Sequence, residues 1–155
     1  DWESALSSAQ MSLGIFTQIG SQDNMLYTWW CIGEAHAGIG DIQKAEQAAQ
    51  SALSLLESRG TKVLGPTEER GLILRLLGKI SRQKGNLDLS RQHLEESANQ
   101  FKERDSHLEL GRTYAELAHW ANASENLLEE KKFIELAEEI FEQLGAGLDL
   151  AEIQS

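Results

Sequence analysis

Cysteine and proline are almost missing from this 155-residue chain, at one each. With Cys31 alone no intrachain disulfide can form, which favours a reducing, cytoplasmic setting. With Pro66 alone, nothing elsewhere in the chain forces a helix to break. Basic residues are scarce too: 14 Lys and Arg stand against 25 Asp and Glu, for a formal charge of −11. So acidic a surface repels phosphate backbones and argues against general nucleic-acid binding. No uncharged apolar run approaches the roughly 18 residues of a membrane span. No basic start leads into an apolar stretch, so no signal peptide is read. The remaining composition, 41% hydrophobic and 25% charged, suits one soluble domain with a sizeable core.

What is present is a repeat. A large apolar residue stands four positions before a turn residue at Phe16 with Gly20, Leu56 with Gly60, Phe101 with Asp105 and Phe141 with Gly145. The steps are 40, 45 and 40 residues, the mark of a repeat array. Each marker is preceded in the same phase by three residues on one helical face: Ala5, Ala9 and Ser12; Ala45, Ala49 and Ala52; Ser90, Leu94 and Ser97; Glu130, Ile134 and Ala137. Mostly small, they let another helix come close.

A further helix precedes each of the last three. It carries Trp29, Ile32, Gly33 and His36 before Gly40-Asp41; Leu74, Leu77, Gly78 and Ser81 before Gly85-Asn86; and Tyr114, Leu117, Ala118 and Ala121 before Glu125-Asn126. Glycine followed by Asp or Asn stops one helix and caps the next. Ser106 with Glu109 reads as a capping box. The extra residues of the 45-residue step are assigned to a loop from Gly60 to Thr67 holding Gly65-Pro66. The third unit lacks a turn glycine and has Glu130 at a usually small position, so an irregular inter-helix turn is expected there.

In phase, these residues resemble the tetratricopeptide repeat family, in a long-period form like that of multidomain signalling proteins. The stretch from Leu26 to Gly60 matches best, through Trp29, Ile32-Gly33, His36, Gly40-Asp41, Ala45, Ala49 and Ala52. The resemblance implies an all-α fold, a right-handed superhelical solenoid of antiparallel helix pairs. One domain over 1–155 is expected. It comprises the second helix of a partial unit (1–20), helix-pair units at 21–60, 61–105 and 106–145, and the start of a further helix (146–155). Since the chain begins with Asp and both ends fall inside a unit, it reads as a piece of a longer array.

Catalytic chemistry finds little support. His36, His93, His107 and His119 show no ligand spacing, so no metal is expected. Cys31 reads as a small core or interface residue rather than a nucleophile, and no phosphate-cradling loop or other cofactor motif exists. The acidic run from Glu125 to Glu142 reads as a solvated helix face, and Trp2 and Trp120 read as buried between neighbouring helices. Asn122-Ala123-Ser124 matches a glycosylation acceptor, a triplet common by chance.

Binding is the expected activity, not catalysis. In the resembled fold the first helices of successive units line a concave groove. The resemblance therefore puts there Tyr27, Trp30 and Glu34, then Arg75, Lys79 and Arg82, then Arg112, His119 and Asn122. Four of the 14 basic residues would share that surface and attract a protein or peptide partner, acidic in character. Tyr27 and Trp30 would add contact area, unless Trp30 packs against the helix before it, the favoured reading of that residue. The family's carboxylate-clamp positions are not reproduced. The expected function is a protein-interaction scaffold; the alternative is a ligand-sensing segment of a larger regulator. Self-association through open solenoid ends is a further expectation. If the groove is the site, charge reversal at Arg75 and Lys79 abolishes partner capture in a pull-down.

Overall fold

A computed structural model describes residues 1–59 and 67–155. Among the described residues there are eight α-helices and no strand: α1 (Trp2–Ile19), α2 (Gln22–Ile39), α3 (Ile42–Ser58), α4 (Glu68–Gln83), α5 (Leu87–Glu103), α6 (His107–Ala123), α7 (Leu127–Leu144) and α8 (Gly147–Ile153). They fall into two compact units, α1 to α3 and α4 to α8. Within each unit consecutive helices pack on one another, as in an α-helical repeat fold. The loop expected from Gly60 to Thr67 with Gly65-Pro66, and the turn at Gly60, lie outside the described residues except for Thr67, the N-cap of α4. No described helix is long and apolar enough to cross a membrane.

Six inter-helix turns share one backbone bond. The amide of the second turn residue donates to the carbonyl five residues earlier: Ser21 to Phe16, Asp41 to His36, Asn86 to Ser81, Ser106 to Phe101, Asn126 to Ala121 and Ala146 to Phe141, all at 2.9–3.0 Å. This bond closes around a left-handed residue. Glycine takes that place at Gly20, Gly40, Gly85 and Gly145, while Asp105 and Glu125 adopt it at φ 53° and 56°. The turn at Glu125-Asn126, expected to be irregular, therefore has the common geometry, with an ordinary side chain held in a disfavoured conformation.

Caps follow the turns. The side chains of Asp41, Asn86 and Asn126 accept amides of their own first helical turns. Hydrogen bonds from the Lys44 ammonium and then from its backbone amide hold the Asp41 carboxyl below its ordinary value. The Ser106–Glu109 capping box does not form. Ser106 is the N-cap of α6 but makes no side-chain cap bond, and the Glu109 carboxylate is drawn to Arg75 and Arg112.

The core is built from large side chains set against small ones. The ring of Phe101 lies on Gly71, where an added Cβ would come within 2.6 Å, and Phe141 lies on Gly111 at 2.7 Å. Leu94 lies on Gly78 at 2.6 Å. Because the glycines carry no side chain, α5 comes near enough for Ser90 and Ser97 to donate to the carbonyls of Gly78 and Gly71, each at 2.8 Å. Both serines are fully buried, so the apparent departures from alanine are satisfied inter-helix bonds. In the first unit Ala45, Ala49 and Ala52 are wholly buried between helices. Glu130 is tolerated at its small-residue position because the site is only half-buried and its carboxylate accepts from Asn122 at 2.8 Å.

Two aromatic expectations divide. Trp120 is buried, donates Nε1–H to the Leu87 carbonyl at 2.8 Å and carries Arg91 over its ring. Trp2 lies across Gly38 but stays half exposed, because within its unit α1 packs chiefly on α2. For the same reason α1 buries no residue fully, and Met11, Ile15 and Ile19 face outward.

These contacts give opposite outcomes for one kind of substitution. Gly78→Ala should lose about 1–2 kcal/mol in urea unfolding, since overpacking against Leu94 exceeds a propensity gain of about 1 kcal/mol. Gly38→Ala should be neutral or slightly stabilising, because the exposed Trp2 ring can swing away. Equal losses at both sites would refute the distinction. Separately, Glu125→Gly should raise stability by about 0.5–1 kcal/mol by relieving the left-handed strain.

Candidate functional site

The first helix of each pair carries the residues expected at the groove, and the two units are taken in turn. On α2, Tyr27 is exposed while Trp30 and Glu34 are half-buried. The Trp30 indole N–H is buried without a hydrogen-bond acceptor. Cys31, read as a core or interface residue, stands on the exposed side of the helix. Partial burial of its thiol, and then the Glu34 carboxylate, raise its pKa. The thiolate is thereby depleted at neutral pH, unlike that of a nucleophilic cysteine.

In the second unit the basic residues occupy the expected strips but do not stand open. Arg75 is only 6% exposed. Its Nη2 pairs with Glu109 at 2.6 Å, and its Nη1 donates to the Glu109 carbonyl at 3.1 Å and to Thr113 Oγ1 at 3.5 Å. The guanidinium also lies over Phe101, 5.6 Å from the ring centre. Lys79 and Arg82 converge on Glu116 at 3.7 and 3.0 Å. Arg112 is exposed and bridges Glu109 at 2.8 Å to Asp149 of α8 at 2.6 Å. The bond to Asp149 raises its pKa most, with Glu109 adding to the effect against opposing desolvation. His119 is exposed, as is Asn122, which is bonded to Glu130.

The structure thus joins Arg75 to Arg112 through Glu109, and Lys79 to Arg82 through Glu116. The expected basic surface is therefore an ion-pair ladder, its four cations bonded to Glu109, Glu116 and Asp149. In the sequence Glu109 reads only as a capping-box residue and Glu116 is not singled out, yet a signal exists. Arg75 and Arg82 are seven residues apart, and so are Glu109 and Glu116, each acid 34 residues beyond its base. Glycine shows a comparable regularity, with Gly71 and Gly111 each 30 residues before the phenylalanine that covers it. Charge reversal at Arg75 would therefore break a buried ion pair and cannot report on a partner alone.

Among the described residues no group of three His, Cys, Asp or Glu is placed to hold a metal.

No protein-family model matches the chain, and no curated protein sequence does. Among solved structures it is similar to the crystal structure of BtubC (BKLC) from P. vanneervenii, with a TM-score of 0.72 at 15% identity. The match covers 98% of this chain and 62% of that one, so the chain spans less than two-thirds of BtubC. At this identity the likeness bears on fold alone, and it agrees with an α-helical repeat architecture.

The ladder should be graded in strength. Arg75→Ala leaves the enclosed Glu109 short of donors and should cost about 3 kcal/mol in urea unfolding. Arg82→Ala should cost less than about 1 kcal/mol, because its pair is nearer solvent and Lys79 still faces Glu116. Equal losses would show that burial does not set the difference.

Proposed function

We propose that the chain is a protein-interaction module of tetratricopeptide type, part of a right-handed superhelical array working in the cytoplasm. Its second unit holds a peptide or partner-domain segment along α6, by binding rather than catalysis. The ladder carries this reading. It fixes α4 against α6, so that Arg112, His119 and Asn122 stand on one exposed strip about 15 Å long. A surface held rigid before contact loses little entropy on binding.

The chemistry of the strip describes its partner. Arg112, the exposed cation of the strip, favours a segment with a single acidic group flanked by hydrogen-bonding side chains. A run of acids would meet Glu109, Glu116 and Asp149 and be repelled. Tyr27 and Glu34 of the first unit remain candidates for a second contact.

A peptide array tests the proposal. Sequences retained by the wild-type chain should lose about tenfold in affinity with Arg112→Glu or His119→Glu, equivalent to one charge-assisted contact. They should be unchanged with Met11→Ser, on the outer face of α1. An array that yields no binder, or binders indifferent to both α6 substitutions, overturns the proposal. The ligand-sensing reading rests on a different observation, a cleft in the first unit.

A further inference from the structure

Two adjoining cavities of about 370 and 330 Å³ lie between α1 and α3 with α2 as their floor, and both are lined by Gln10, His36 and Lys44. On α2 they take Trp29, Ile32, His36 and Ile39, opposite the strip of Tyr27, Trp30 and Glu34 by helical phase. The cleft is therefore a different surface from the expected groove.

His36 marks it out. The residue is 7% exposed, and its Nδ1 has no hydrogen-bond partner. The repeat does not require an imidazole here. The matching positions, immediately before the same turn bond, are Ser81 on α4 and Ala121 on α6, both small and buried. A buried polar atom without a partner is destabilising and calls for an explanation.

The walls indicate what would satisfy it. In the larger cavity Lys44 is the sole residue of fixed charge, and Leu13, Trp29, Ile32 and Ala48 supply an apolar lining. The smaller cavity adds Glu3 and Asp41, with Asp41 2.9 Å from the Lys44 ammonium. A second negative charge on a ligand would meet these carboxylates. We propose that the cleft binds a small apolar monocarboxylate. Its acid group is held at the wall formed by Lys44 Nζ and the His36 imidazole, and its body lies over Leu13, Trp29 and Ile32. Volumes of this order are those of small-molecule sites.

The test is a two-dimensional NMR titration of the whole chain with 3-phenylpropionate, its neutral amide, phenylphosphonate and an acetylated peptide ending in phenylalanine. The acid should shift the Trp29 indole and the Gln10 and Gln47 side-chain amides saturably. The amide and the phosphonate should bind at least about tenfold more weakly, and Lys44→Met should weaken the acid by about tenfold. Lys44 is largely exposed, so that variant keeps its fold, which unchanged resonances elsewhere would verify. No saturable shift overturns the site. Equal binding of acid and amide, or indifference to Lys44→Met, overturns carboxylate recognition. Tighter binding of the peptide than of 3-phenylpropionate overturns the small-molecule assignment in favour of a chain terminus.

Discussion

Close approach of helices is the constraint on which the rest of the structure depends. The α4–α5 and α6–α7 crossings set large side chains against glycine: Phe101 on Gly71, Leu94 on Gly78, Phe141 on Gly111. Dispersion contacts of this kind decay within an ångström of separation, so the fit selects a single inter-helix distance. The polar contacts follow from it. Ser90 and Ser97 can reach backbone carbonyls across the α4–α5 interface because the glycines there leave them bare.

Charge then organises what packing has brought near. Arg75 is enclosed by Glu109, Thr113 and Phe101, and from that point the carboxylates reach outward through Arg112 to Asp149. A pair recessed this far has few other partners and specifies how α4 sits beside α6. On the far side of the unit, Arg91 makes a comparable bridge, lying 4.7 Å over Trp120 while bonded to Glu95 and Glu129. An acidic protein with few bases thus commits several of them to joining helices.

Local features could be read from the chain, and relational ones could not. The positions of the helix turns follow from glycine, Asp and Asn at fixed offsets, because a turn is decided by residues that are neighbours in sequence. The burial of Phe101, Phe141 and Leu56 follows from a stripe with helical period. By contrast, Arg75 has the spacing of a groove residue, and only the position of α6 reveals that Glu109 awaits it. The capping box failed for the same reason: Ser106 and Glu109 have the right interval, but a distant arginine competes for the carboxylate. The cleft around His36 was equally hidden, since it requires α1 and α3 to flank one face of α2. Glu125 erred the other way. Its side chain suggested irregularity, but the backbone bond from Asn126 to Ala121 imposes the common turn.

That shared turn bond has a consequence for how such a chain can change length. Each turn closes with a bond inside six residues, so duplicating a stretch from one turn to the next recreates that bond at the new junction. A unit of two helices can be copied with its turn bonds complete. What must then be matched is the next pairing of large residue with small, and the ion pairs that join one helix pair to the next. Arrays of this design can drift in sequence and grow by whole pairs, provided the size alternation at each crossing is kept.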